Sequence, residues 1–96
     1  MSVVILGGNE CMVRQYKELC WDYRCSAKVI PKMRGSVKNR LGHPDLLVLF
    51  TDTISHKMVQ CAYSEIKGGR TVVAHSHSSS MAALRAVLEA HTETGG

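Results

Sequence analysis

Two uninterrupted apolar runs constrain this chain more than anything else in it. Val3-Val4-Ile5-Leu6 and Leu46-Leu47-Val48-Leu49-Phe50 carry no polar residue at either phase of the strand repeat. A strand that is apolar on both faces belongs where both faces are covered, as in a parallel sheet with helices above and below it. Each run ends on residues suited to a turn or a helix start: Gly7-Gly8-Asn9 after the first, Thr51-Asp52-Thr53 after the second.

Between and beyond these runs the apolar period changes to that of a helix. Met12, Val13, Tyr16, Leu19, Cys20 and Tyr23 share one stripe, with Asn9 placed to cap it. Val59, Ala62 and Ile66 form a second stripe behind Ser55, closed by Gly68-Gly69, and Met81, Leu84, Val87 and Leu88 form a third. Residues 27–30, stopped by Pro31, and residues 71–74 read as two shorter strands. Residues 32–44 are basic and contain glycine; only Val37 and Leu41 keep helical spacing there, so a loop with a short helix is expected.

Strands separated by helices pair in parallel through right-handed crossovers. The expected fold is therefore α/β: a small Rossmann-like or flavodoxin-like three-layer sandwich on a four-stranded parallel sheet in the order 2-1-3-4. One domain is expected over residues 1–92, with 93–96 as a frayed tail. That agrees with 96 residues of ordinary globular composition, 45% hydrophobic and 21% charged. A domain this small leaves apolar surface uncovered, which favours a homodimer. The opening apolar stretch is too short for a secretory signal and nothing approaches a membrane span, so a cytoplasmic protein is expected. Cys11, Cys20, Cys25 and Cys61 show no C-x-x-C pair and read as reduced thiols.

The formal charge is +4, and Arg14, Lys17, Arg24, Lys28, Lys32, Arg34, Lys38 and Arg40 all lie between the first helix and the third strand. An ordinary solvated face accounts for that cluster; steering of an anion is the other reading. If the loop at 32–40 closed over the rim as a lid, Lys32, Arg34 and Lys38 would become ligand contacts. Tyr16, Trp21, Tyr23, Phe50 and Tyr63 do not interleave with the basic residues as a stacking platform would require, and no nucleic-acid-binding motif is present, which disfavours sequence-specific nucleic-acid binding.

In the order 2-1-3-4 the topological switch point lies between the first and third strands, where such sheets bind ligands. It brings Gly7, Gly8 and Asn9, with Glu10, beside Thr51, Asp52, Thr53 and Ser55. The glycines allow close backbone approach, but Gly-Gly-Asn-Glu is not a full dinucleotide fingerprint, and a tight turn explains it as well. Ser55 would cap the second helix, and His56 in its first turn is biased toward the neutral form. After the fourth strand, Ser76, His77, Ser78, Ser79 and Ser80 lead into a helix start, the best anion site in the chain. Two enzymatic alternatives use the same rim. One is a metal held by His56, His75 and His77; the other is acid and base work by Asp52 and His56. No G-x-S-x-G elbow supports a serine hydrolase.

Taken in order, Val3-Val4-Ile5-Leu6-Gly7-Gly8-Asn9-Glu10 with Tyr16 downstream, the block from Pro44 and Asp45 through Asp52-Thr53-Ile54-Ser55-His56-Lys57-Met58, and Val72-Val73-Ala74-His75-Ser76-His77-Ser78-Ser79-Ser80 resemble the short bacterial members of the family called domain of unknown function 2325. The resemblance implies a bacterial Rossmann-like or flavodoxin-like domain without an established role. It also implies that longer relatives carry the module behind a helical region associated with haem binding. That region has no counterpart in these 96 residues, so the haem role is not carried over.

The residues point to a non-catalytic module binding a small anionic ligand, a nucleotide or phosphorylated metabolite, at the C-terminal rim, with no cofactor specified. A small hydrolase or transferase, and a dimeric docking scaffold, are the alternatives.

Overall fold

Every strand in the sheet runs the same way, and the order is β2-β1-β3-β4. The computed structural model describes residues 1–31, 41–66 and 69–92. The strands are β1 (Ser2–Leu6), β2 (Ser26–Ile30), β3 (Leu46–Phe50) and β4 (Val72–Ser76); the helices are α1 (Val13–Asp22), α2 (His56–Ile66) and α3 (Met81–His91). The expected α/β sandwich and its strand order are both present.

The apolar runs lie where their composition requires. β1 and β3 are the two central strands, and all five residues of β3 are buried. Val3, Ile5, Leu46, Val48, Phe50 and Ala74 pack with Tyr16, Leu19 and Cys20 of α1 and with Leu84 and Leu88 of α3. Val4, Leu6, Leu47 and Leu49 point the opposite way and pack with Ala62, Met58 and Val59 of α2, together with Ile30 and Leu41. Strand side chains alternate between faces, so α1 and α3 cover one face and α2 the other. Each fully buried Leu, Ile or Phe contributes roughly 1.5–3 kcal/mol, which makes β3 the most heavily stabilised segment.

Differences from expectation fall at element ends. β2 begins one residue earlier than 27–30, and β4 runs to Ser76 rather than stopping at 74. A short 3-10 turn, Glu10–Met12, precedes α1, and the Asn9 side chain accepts from Cys11 N–H as its cap. Ser55 caps α2 as expected, its Oγ accepting from Met58 N–H at 3.2 Å. At the far end of α2, Gly69 N–H reaches Ile66 C=O at 3.0 Å, while Gly68 lies outside the described residues. Most of the short helix expected in 32–44, the lid formed by 32–40, and the frayed tail at 93–96 also fall outside them.

α1 ends without a glycine. Arg24 takes the left-handed conformation at φ 60°. Arg24 N–H donates to Trp21 C=O, and Cys25 N–H to Cys20 C=O, both at 2.8 Å. This paired closure satisfies two of the last helical carbonyls. It also carries Cys25 into the core beside Cys20. Burial first, and then the neighbouring Cys25, push the Cys20 thiol up to about 12, so it stays protonated and unreactive in the folded chain. The four cysteines are free thiols: Cys11 is exposed, Cys20 and Cys25 are buried, and Cys61 is half-buried.

Candidate functional site at the carboxyl rim of the sheet

Three loops leave the carboxyl ends of β1, β3 and β4, and parallel pairing puts those ends level. Leu6 is in register with Leu49, and Phe50 with Ser76. The loops therefore meet at one rim.

The loop after β1 is filled by protein. Gly7 and Gly8 are buried, each at φ 96°. A Cβ on Gly7 would come within 2.7 Å of Thr53 Oγ1 and 2.8 Å of Ile54 Cγ2; one on Gly8 would come within 2.9 Å of Tyr16 Cε2. The glycines let β1 and β3 loops cross at close range. Gly8 N–H donates to Thr53 Oγ1 at 2.7 Å, and that hydroxyl donates on to Phe50 C=O at 3.1 Å. Asn9 N–H donates to the Tyr16 hydroxyl at 3.1 Å, and Cys11 N–H to Asn9 Oδ1 at 2.9 Å. The backbone donors of Gly8 and Asn9, expected to approach a ligand, are thus committed to side chains of the protein itself.

Tyr16 is the residue that sequence reasoning left in the core stripe without a rim role. Its ring is fully buried against Phe50, with ring centroids 5.4 Å apart. Its hydroxyl accepts from Asn9 and donates to Ser79 C=O at 2.6 Å. One phenol therefore ties the β1 loop to the β4 loop. The signal was present in part: a tyrosine one turn into a helix that starts at a sheet rim can reach back to that rim, and a buried phenol needs a partner.

The loop after β4 is displayed instead. Ser78 and Ser80 are exposed, and Ser76 and Ser79 half-buried. Their hydroxyls form a ladder. Ser76 Oγ donates to Ser78 C=O at 2.7 Å and accepts from Ser78 N–H at 3.3 Å. Ser78 Oγ donates to Ser80 Oγ at 3.1 Å and accepts from Ser80 N–H at 3.2 Å. Ser80 then caps α3, accepting from Ala83 N–H at 3.1 Å. Consecutive serine turns of this kind set the loop's shape locally, in addition to the bond from Tyr16 to Ser79 C=O.

The β3 loop joins this ladder at two points. Ser79 Oγ donates to Asp52 Oδ1 at 2.6 Å, a short bond of the charge-assisted kind. Thr51 Oγ1 lies 3.2 Å from Ser76 C=O and 3.0 Å from His77 Nδ1. The carbonyl has no proton to give, so Thr51 donates to it and accepts from His77 Nδ1–H. In the neutral tautomer with the proton on Nδ1, Nε2 is the acceptor nitrogen.

The remaining expected site residues do not converge on this point. His56 is exposed on the first turn of α2 and pairs with Gln60 at 3.2 Å. His75 pairs with the Tyr63 hydroxyl of α2. Among the described residues no hydrogen bond or ion pair joins Asp52 to His56, and no three His, Cys, Asp or Glu side chains gather to hold a metal ion. The three-histidine arrangement is therefore not assembled, because each imidazole already answers a different neighbour. A shallow groove lined by Lys17, Trp21, Cys25 and Ala27 opens where α1 has returned the chain to the start of β2, at the opposite end of the sheet from these loops.

Comparison with known proteins gives a family match. The family described as an uncharacterized protein conserved in bacteria, DUF2325, matches residues 2–91. No curated protein and no solved structure matches the chain.

Proposed function

The chain belongs to DUF2325, a family of uncharacterized bacterial proteins, and from the geometry of its rim we propose that it is a cytoplasmic, self-associating, non-catalytic binding module for a small anionic ligand. The observation that carries this reading is the bracing of the serine loop. Tyr16 holds Ser79 from below, Asp52 and Thr51 hold Ser79 and His77 from the side, and Ser80 fixes the loop to α3. An exposed loop braced this way costs little further ordering when a ligand arrives.

The ligand contacts then divide by chemistry. The first N–H groups of α3, at Met81 and Ala82, precede any intrahelical partner and suit a phosphate or carboxylate. Asp52 needs hydrogen-bond donors, so a bare inorganic anion is a poor fit, and a ligand carrying hydroxyls beside its phosphate is a better one. Nucleotides and sugar phosphates have both. His77 offers an acceptor through Nε2. Gly7, Gly8 and Asn9 act through position rather than contact. No helix among the described residues is long and apolar enough to cross a membrane.

The test is a thermal-shift and calorimetric titration with nucleoside monophosphates, ribose 5-phosphate and inorganic phosphate. A ligand that binds the folded state stabilises it by about 2.7 kcal/mol at a hundredfold excess over Kd. Ribose 5-phosphate or a nucleotide is expected to raise Tm more than phosphate alone, and Ser78→Leu with Ser79→Leu is expected to remove the effect. No response to any of the three, or a response unchanged by that double substitution, overturns the reading.

A further inference from the structure

Among the described residues β4 is one edge of the sheet, and its backbone leaves a defined set of groups unpaired on the outer side. Val72 N–H donates to Asp45 C=O, and Ser76 C=O accepts from Thr51 N–H. Val72, Ala74 and Ser76 therefore face β3. The N–H and C=O of one residue point to the same side in a parallel strand, so those of Val73 and His75 face outward. Natural sheets guard such an edge with lysine, proline or a bulge. Here no charged or proline residue occurs from Thr71 to Leu84. Val72 is 49% exposed, and Tyr63, which joins α2 to His75 at this edge, is 44% exposed.

The opposite edge is guarded. β2 carries an exposed Lys28, is preceded by Arg24 and is followed by Pro31, Lys32 and Arg34. Two copies of a chain with formal charge +4 would set like charges against each other there. Within β4, Val72–Ser76, no Lys, Arg, Asp or Glu would be brought together, and the exposed Arg70 lies outside the paired residues.

We propose that β4 pairs antiparallel with β4 of a second copy of this chain, about a two-fold axis at Ala74, to give one continuous sheet of twice the width. The pattern of outward groups is its own complement in that register. Each Val73 exchanges both backbone hydrogen bonds with the His75 of its symmetry mate. The axis falls on a non-hydrogen-bonded pair, where facing Cα atoms approach to about 4.5 Å, and alanine is the smallest side chain of the strand. Val72 is covered by the other copy's Ser76, and Tyr63 flanks the joint from α2. The interface gives the proposed self-association its surface and rests on that part of the reading. Ligand binding is a separate property of the rim, so the two can fail independently.

Sedimentation equilibrium over a dilution series tests it on the wild type and on three variants. His75→Pro removes an outward N–H without touching the β3 ladder, Val72→Lys adds a charge at an exposed side chain, and Ala27→Pro makes the equivalent outward change on β2. Circular dichroism melts establish that each variant is folded. The wild type is expected to reach twice the 10.6 kDa chain mass and to dissociate on dilution. Val72→Lys and His75→Pro are expected to stay at the chain mass, with Ala27→Pro associating like the wild type. A wild type that stays monomeric overturns the proposal. So does a Val72→Lys variant that dimerises unchanged, or loss of the dimer in folded Ala27→Pro alone. Val72→Lys is also titrated with ribose 5-phosphate: retained binding separates loss of the dimer from loss of the rim.

Discussion

The loop after β1 and the loop after β4 look alike in sequence and are built differently. Each follows a strand, contains small or polar residues and leads into a helix. The first is buried at Gly7 and Gly8, and its N–H groups at Gly8 and Asn9 are used by Thr53 and Tyr16. The second is exposed or half-exposed and braced mostly through its own serines. A glycine turn at a rim can therefore mark the place where two loops cross rather than the place where a ligand sits. Which of the two it is depends on what a Cβ would strike: at Gly8 it would strike the ring that supports the other loop.

The contrast can be broken most forcefully at Gly8. Alanine there would sit at φ 96° with its Cβ 2.9 Å from Tyr16 Cε2 and 3.1 Å from Phe50 Cδ2. The expected cost is about 3 kcal/mol, from left-handed strain and overpacking together. Chemical denaturation measures it, and a cost near zero would mean the first loop is not the close-packed element described.

Tyr16→Phe is the next largest. It removes one hydroxyl and leaves Asn9 N–H and Ser79 C=O without their partner, at an expected cost of about 2 kcal/mol. Hydrogen exchange should then quicken in both loops. Quickening in the β1 loop alone would show that the tyrosine does not support the serine loop.

On the displayed side the effects shrink. Ser80→Ala deletes the cap of α3 and is expected to lower stability by about 1 kcal/mol. Ser79→Ala releases the Asp52 carboxylate and is expected to change stability by only about 0.5 kcal/mol, because the bond is at the surface. Its effect should appear in ribose 5-phosphate affinity instead. If Ser79→Ala proved as destabilising as Gly8→Ala, the division into a close-packed loop and a displayed loop proposed to bind would be lost.

Much of the fold was legible because β1 after Ser2 and the whole of β3 are apolar, a pattern suited to strands of a parallel sheet covered on both faces. The order 2-1-3-4 and the bounds of β3 followed from it. The pattern places β4 at 71–74 rather than Val72–Ser76 because an edge strand tolerates polar side chains: Ser76 closes the ladder to Thr51 N–H through its carbonyl, which periodicity cannot see, while the His75 backbone faces outward. The rim residues were found by their types and by the strand ends. Their pairing was not, since Tyr16 to Ser79 and Ser79 to Asp52 span 63 and 27 residues of sequence and depend on how the loops fold. His56, His75 and His77 resemble a metal site in composition, yet Gln60, Tyr63 and Thr51 separate them.

The central claim is that the serine loop, not the glycine loop, meets the ligand. Backbone amide NMR shifts during titration with ribose 5-phosphate test it most directly. The account expects the largest shifts at residues 77–82 and Asp52, with Gly8 and Asn9 little changed because their N–H groups are already taken. Largest shifts at Gly8 and Asn9, or none at the rim with any nucleotide or sugar phosphate, would contradict it.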